Sequence, residues 1–231
     1  MSTSLQERME QVELRIQAAL LRSHRTRDEV TLVAVTKKFP AAVMCEAYSL
    51  GLRVFGENYV QEFAEKHPAL SGLAEAQFHL IGHLQSNKAR VAAELFHAVE
   101  TVDSEKLARR LNEAALNQER KPLEVMIEVK LSPEGAKAGA APEELPALID
   151  SIRACPNLRL TGLMTMPPWN TDPETTRPFF RRLAELARIH QLPKLSMGMS
   201  HDLEAAIEEG ATHIRVGTAL FGLRPEASAQ E

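Results

Sequence analysis

The sequence is short of most features that would direct it to a membrane, a secretory route or a nucleic acid. No stretch of about 18 apolar residues occurs in its 231 residues, so no segment reads as a membrane-spanning helix. The opening MSTSLQERMEQVELRIQ lacks the apolar core of a signal peptide. Cysteine is scarce: Cys45 and Cys155 are the only two, without CxxC spacing, which implies no disulfide or zinc site and fits buried thiols in a reduced cytosol. Charge of one sign is missing too. The formal net charge is −4 and the Lys and Arg residues are scattered, so the basic footprint of a nucleic-acid binder is absent. No Pro/Gly/Ser-rich linker divides the chain, and no repeat of the solenoid kind runs through it. The expectation is one cytosolic domain over residues 1–231, large enough to bury roughly 70% of its extended surface.

What the chain does have is a rhythm. Leu5, Met9, Val12, Ile16 and Ala19/Leu20 step by three and four, predicting an amphipathic helix within residues 1–22. Eight short apolar, β-branched runs follow, at Val30–Val35, Leu52–Phe55, Phe78–Ile81, Phe96–Thr101, Leu123–Val129, Leu158–Met164, Lys194–Met197 and His213–Val216. Segments of helical period separate them, punctuated by Gly51, by Asp103 or Ser104, by Pro142 and by Gly210. Eight strand–helix units predict an α/β fold, a single (β/α)8 TIM barrel with an extra N-terminal helix; the rival is an open doubly wound sheet. The polar ending, residues 224–231, is expected to be a frayed tail.

In a barrel, chemistry gathers where strands end. After the first strand stand Lys37 and Lys38, and strand parity does not choose between them. A lysine drawn toward an apolar interior has its charged form disfavoured, which turns the amine into a nucleophile; the alternative is a pair of solvated rim lysines. Ser200 is expected to cap the helix after the seventh strand, where its hydroxyl and nearby N–H groups also suit an anion. Gly217 and Thr218 open the last turn, either as an ordinary turn or as the second half of that anion site. Arg215 alternates with Ile214 and Val216, so it points either into the barrel or outward toward Glu208 or Glu209. Asn58, just before YVQEFAEK, fits a helix cap. His79 and His83 have a metal-like spacing but no third ligand, so no metal is expected. Met164, Met166, Met197 and Met199 fill core gaps or line a pocket.

Six segments in order, LVAVTKKFP, FGENYVQE, FHLIGHLQSNK, GLMTM, LSMGMSHDLEAAI and IRVGTALFG, closely resemble the pyridoxal 5′-phosphate homeostasis protein family, from the opening helix to Phe221. The resemblance implies the alanine-racemase-like barrel of fold-type III and pyridoxal 5′-phosphate (PLP) as cofactor. It implies that Lys37 forms the covalent imine, that Ser200, Gly217 and Thr218 cradle the phosphate, that Arg215 partners the pyridine nitrogen and that Asn58 contacts the ring. Ala138 and Lys130, in the fifth loop, depart from the family's pattern. Lys38 or Lys137, near the mouth, is a candidate for receiving the cofactor from Lys37.

The function so implied is intracellular PLP homeostasis, as a carrier or buffer without robust catalysis, with apo PLP-dependent enzymes as partners and a monomeric state. The alternative is an amino-acid racemase. That reading needs acid–base groups on both faces of the substrate and, in racemases of this type, a tyrosine from a second domain. Few residues follow Gly217, and both tyrosines, Tyr48 and Tyr59, precede the third strand. A third reading, a cofactor-free Schiff-base aldolase, would use Lys37 with Glu57 as proton shuttle.

Overall fold

The computed structural model describes residues 3–116, 122–132 and 138–223. Eight parallel strands close on themselves: β1 Thr31–Val35, β2 Val54–Glu57, β3 Gln77–Leu80, β4 Ala98–Val102, β5 Leu123–Glu128, β6 Leu158–Met164, β7 Lys194–Met199 and β8 His213–Val216. Each strand pairs with its sequence neighbours, and β1 pairs with β8 from Thr31↔His213 to Ala34↔Val216. The structure is therefore the (β/α)8 barrel and not the open sheet.

Helices follow the strands in turn: α2 Ala41–Ser49, α3 Val60–Lys66, α4 Ala89–Leu95, α5 Glu105–Ala115, α6 Leu145–Arg153, α7 Arg177–Ile189, α8 Leu203–Glu208 and the short α9 Thr218–Phe221. The extra helix α1, Leu5–Arg22, precedes them. Ser4 caps it in a reciprocal box: the Glu7 N–H donates to Ser4 Oγ (3.2 Å) and the Ser4 N–H to Glu7 Oε2 (2.7 Å). Its buried face is Leu5, Val12, Ile16, Ala19 and Leu20, with Met9 half-buried. That face lies against α8 and α9, and Arg15 adds a two-pronged pair with Glu204 at 2.6 and 2.7 Å.

Predicted and observed strands coincide end to end for β6 and β8. The second is displaced, Val54–Glu57 against an expected Leu52–Phe55, because the ladder continues through Gly56 and the buried Glu57. The seventh runs on to Met199. Cys155 is buried as expected, whereas Cys45 is only half-buried on α2. The expected tail 224–231 lies outside the described residues.

Truncating Ile16, which is fully buried in α1, removes its apolar contacts and leaves a cavity. Ile16→Ala is expected to lower the unfolding free energy by about 2–5 kcal/mol, read from urea unfolding by circular dichroism; a change near zero would mean that α1 adds nothing to the fold.

Candidate functional site

At the C-terminal ends of the strands lies a cavity of about 630 Å³. Lys37, Asn58, Ser200, Arg215, Gly217 and Thr218, from the ends of β1, β2, β7 and β8, all line it. A second cavity of about 610 Å³ lies at the other end of the barrel, around Gln77, Leu123 and Arg159 where strands begin, and none of the six residues reaches it.

The two lysines are separated by the backbone. Lys38 takes φ +65°, a conformation L side chains rarely adopt, and its side chain is exposed, while Lys37 is half-buried against the cavity. The Lys38 N–H donates to Glu62 Oε1 (2.5 Å). Behind the turn, Lys66 Nζ donates to the carbonyls of Thr36 and Phe39 (3.2 Å each), on either side of the lysine pair. That ammonium is itself paired with Glu57 and Glu62, at 2.8 Å each. Glu57 is fully buried and accepts the Thr36 hydroxyl at 2.8 Å. Burial pushes its carboxyl up, against the hydrogen bond and charge of Lys66. It is not among the residues lining the cavity, so it anchors the turn and is not placed as the proton shuttle an aldolase would use.

Asn58 does not cap α3; Tyr59 holds that position, with no side-chain cap bond. The Asn58 Oδ1 is buried without a hydrogen-bond partner in a residue that faces the cavity. Gly82 permits this arrangement, because a Cβ there would come within 2.4 Å of the Asn58 carbonyl oxygen.

Ser200 corrects an expectation. The cap of α8 is Asp202, whose Oδ1 accepts the Met199 N–H at 2.7 Å. Ser200 turns instead to the last strand end, where its Oγ accepts the N–H groups of Gly217 (3.3 Å) and Ala219 (3.2 Å). A bulge in β7 makes the redirection possible. Its register shifts between Ser196 and Met199, and Gly198 sits at φ +89° with its hypothetical Cβ 2.4 Å from that of Ala206. Two backbone donors thus converge on one hydroxyl oxygen, a geometry that suits an anionic oxygen.

Arg215 points inward and is 3% exposed. Its Nη1 donates to Ser196 Oγ (2.7 Å) and its Nη2 to the Thr165 carbonyl (2.9 Å). The outward alternative is excluded, since Glu208 and Glu209 pair with Arg22, Arg177 and Arg181. Beneath Arg215, Ser196 donates to Glu100 Oε2 (2.5 Å), and His79 Nδ1 donates to Glu100 Oε1 (2.7 Å). Burial alone would raise the Glu100 carboxyl; the bond from His79 and the charges of His79, His213 and Arg215 outweigh it and hold it at about 2. His213, stacked on His79 at 6.0 Å, is pushed down to about 4, chiefly by burial, and stays neutral near pH 7.

His79 and His83 therefore go separate ways, the second to Asp103 at 3.6 Å, and no metal-ligand cluster occurs among the described residues. Of the four methionines, Met164 and Met197 are core, while Met166 and Met199 line the cavity. Lys130 does not line it, and Lys137 lies outside the described residues. Sequence reasoning passed over Trp169, 71% exposed with its ring 6.0 Å from that of His201, though both line the cavity. It also missed Glu100 and Ser196. For Glu100 a signal existed, a carboxylate in the middle of an apolar run.

Residues 12–225 match the family described as alanine racemase, N-terminal domain. The pyridoxal phosphate homeostasis protein of Pseudomonas aeruginosa is 47% identical over 227 residues, covering 96% of each chain. That of Escherichia coli K12 is 42% identical over 221 residues, covering 93% of this chain and 94% of its own. PipY of Synechococcus elongatus PCC7942, solved with PLP bound, is similar with a TM-score of 0.80 at 40% identity, covering 95% of this chain and 100% of that one. An alanine racemase from Bacillus anthracis shares the fold, with a TM-score of 0.67 at 17% identity; the match covers 92% of this chain and 56% of that one.

The buried His213 gives the site a pH signature. With a folded value near 4 and an ordinary one near 6.5, the unfolded chain binds the extra proton between those limits, so His213 withdraws stability as pH falls from about 6.5 to 4. The ionisable groups that act on it electrostatically are Glu100, His79, Lys194 and Glu124. Glu57 and Glu128, whose carboxyls burial raises, act in the opposite sense. The difference between wild type and His213→Asn isolates the histidine: unfolding free energies from urea titrations at pH 7 and pH 5 should differ less in the variant, by on the order of 2 kcal/mol. Equal shifts in both proteins would refute the assignment.

Proposed function

Because this chain belongs to the pyridoxal phosphate homeostasis protein family, built on the alanine racemase N-terminal domain, we propose that it binds PLP covalently as a Schiff base through Lys37 and serves intracellular PLP supply as a carrier or buffer. The single observation that carries the reading is the convergence of Lys37, Asn58, Ser200, Arg215, Gly217 and Thr218 on one cavity. These residues fit the cofactor's chemistry. An amine stands on one wall for the aldehyde. The N–H groups that meet at Ser200 Oγ suit the phosphate, together with the hydroxyls of Ser200 and Thr218. The partnerless Asn58 Oδ1 offers an acceptor inside the cavity for the ring's hydroxyl side.

Arg215 is the group for the pyridine nitrogen. A guanidinium only donates hydrogen bonds, so it keeps that nitrogen unprotonated. Bound PLP supplies an electron sink for amino-acid chemistry, and an unprotonated ring is a weak one. Among the described lining residues, Lys37 and His201 carry an amine and an imidazole, side chains of the kind that serve as general acids and bases. Tyr59 is half-exposed away from the cavity lining, and Tyr48 packs under Arg53, 4.1 Å from its ring centroid. These features favour holding the cofactor over turning it over. They also favour the homeostasis reading over a racemase, which racemisation of L-alanine by the loaded protein would revive.

The carrier role extends to handing the cofactor to apo PLP-dependent enzymes in the cytosol, with this chain acting as a monomer. The exposed Lys38 is the candidate intermediate acceptor among described residues.

Purified protein loaded with PLP is expected to be yellow, and Lys37→Ala should abolish the covalent band while Lys38→Ala retains it. Borohydride trapping and peptide mapping should place the main label on Lys37, with a minor label on Lys38 at high loading. A wild type that stays colourless in excess PLP would sink the functional reading, and label confined to Lys37 at every loading would remove only the relay through other lysines.

A further inference from the structure

The interior of the barrel carries a charged layer that folding alone does not explain. Barrel cores of this type are filled by layers of branched apolar side chains. Here His79 of β3, Glu100 of β4, Ser196 of β7, and His213 and Arg215 of β8 are all buried. Exchanging buried ions for apolar residues of similar size is often neutral or stabilising, so a layer of this composition points to a task other than stability.

The directions of its hydrogen bonds are fixed by chemistry. A guanidinium can only donate and an ionised carboxylate can only accept. The Ser196 hydroxyl, placed between Arg215 Nη1 and Glu100 Oε2, must therefore accept from the first and donate to the second. His79 donates to the other carboxylate oxygen. Glu100 thus fixes the rotor of Ser196, and Ser196 fixes one arm of the guanidinium. The Thr165 carbonyl holds the other arm, and Arg215 still lines the cavity.

We propose that Glu100, acting through Ser196, is the positioning residue that aims Arg215 into the cavity and so sets the protein's grip on the ring of its ligand. The ligand half rests on the PLP reading given above. The positioning half is a property of the unliganded protein and is tested separately.

Three variants serve. Ser196→Ala removes the bridge and leaves both charges, Ser196→Thr keeps the hydroxyl, and Glu100→Gln replaces one acceptor oxygen by a donor of the same shape. In free protein, ¹⁵N NMR should show the Arg215 side-chain N–H exchanging at least about tenfold faster in Ser196→Ala and Glu100→Gln than in wild type. On titration with PLP the same variants should bind about tenfold more weakly and show a displaced visible band, while Ser196→Thr returns toward wild type in both measurements. Should Ser196→Ala fail to fold, Glu100→Gln decides.

Unchanged Arg215 exchange in folded variants would overturn the positioning half. A lowered thermal midpoint with affinity and band position intact would also overturn the proposal, because that is the pattern of a purely structural layer. If wild type takes up no PLP, the ligand half falls together with the functional reading, and the NMR comparison still decides the positioning.

Discussion

The pairing of β1 with β8 is the contact on which the site depends. Four residue pairs, from Thr31↔His213 to Ala34↔Val216, join the first strand to the last. They bring the turn holding Lys37 beside the turn beginning at Gly217, more than a hundred residues away in sequence. A Cβ on Gly217 would stand 3.4 Å from that of Val35, which measures how closely the two strand ends pass. In an open sheet β1 and β8 would not pair in this way, and Lys37 and the turn at Gly217 would not share a wall.

Around that junction the protein solves two electrostatic problems differently. Behind Lys37, the Lys66 ammonium is nearly buried but receives carboxylates from Glu57 and Glu62, so its charge is matched directly. Inside the barrel, no carboxylate among the described residues pairs directly with Arg215, and its compensation arrives through the Ser196 hydroxyl from Glu100. The first arrangement shapes backbone. The second leaves the guanidinium to be held by neutral groups, with its counter-charge one bond removed, in a medium where charge interactions are far stronger than in water.

The eightfold rhythm was readable because apolar runs and helical periods alternate with few interruptions, and β6 and β8 could be bounded to the residue. β2 slipped by two positions because it ends on the buried Glu57, which no hydropathy pattern assigns to a core. The choice between Lys37 and Lys38 was not available from strand parity, since the left-handed Lys38 breaks the alternation at that point. Ser200 followed a local helix-start pattern that Asp202 fulfils; its true partners, Gly217 and Ala219, belong to another strand end and leave no local trace. Glu100 and Ser196 matter through contacts across the barrel axis, the kind of information a one-dimensional pattern does not hold.

The anchoring of the Lys37 turn has one more consequence. Lys66, Glu57 and Glu62 fix its backbone before any ligand arrives, so the ordering entropy of that segment is lost when the chain folds and not when the cavity fills. Departure of a ligand would likewise leave the turn in place. A protein that loads and unloads a ligand, as the carrier reading proposes for this one, gains from such a latch, because each vacancy finds the backbone of the turn already in place.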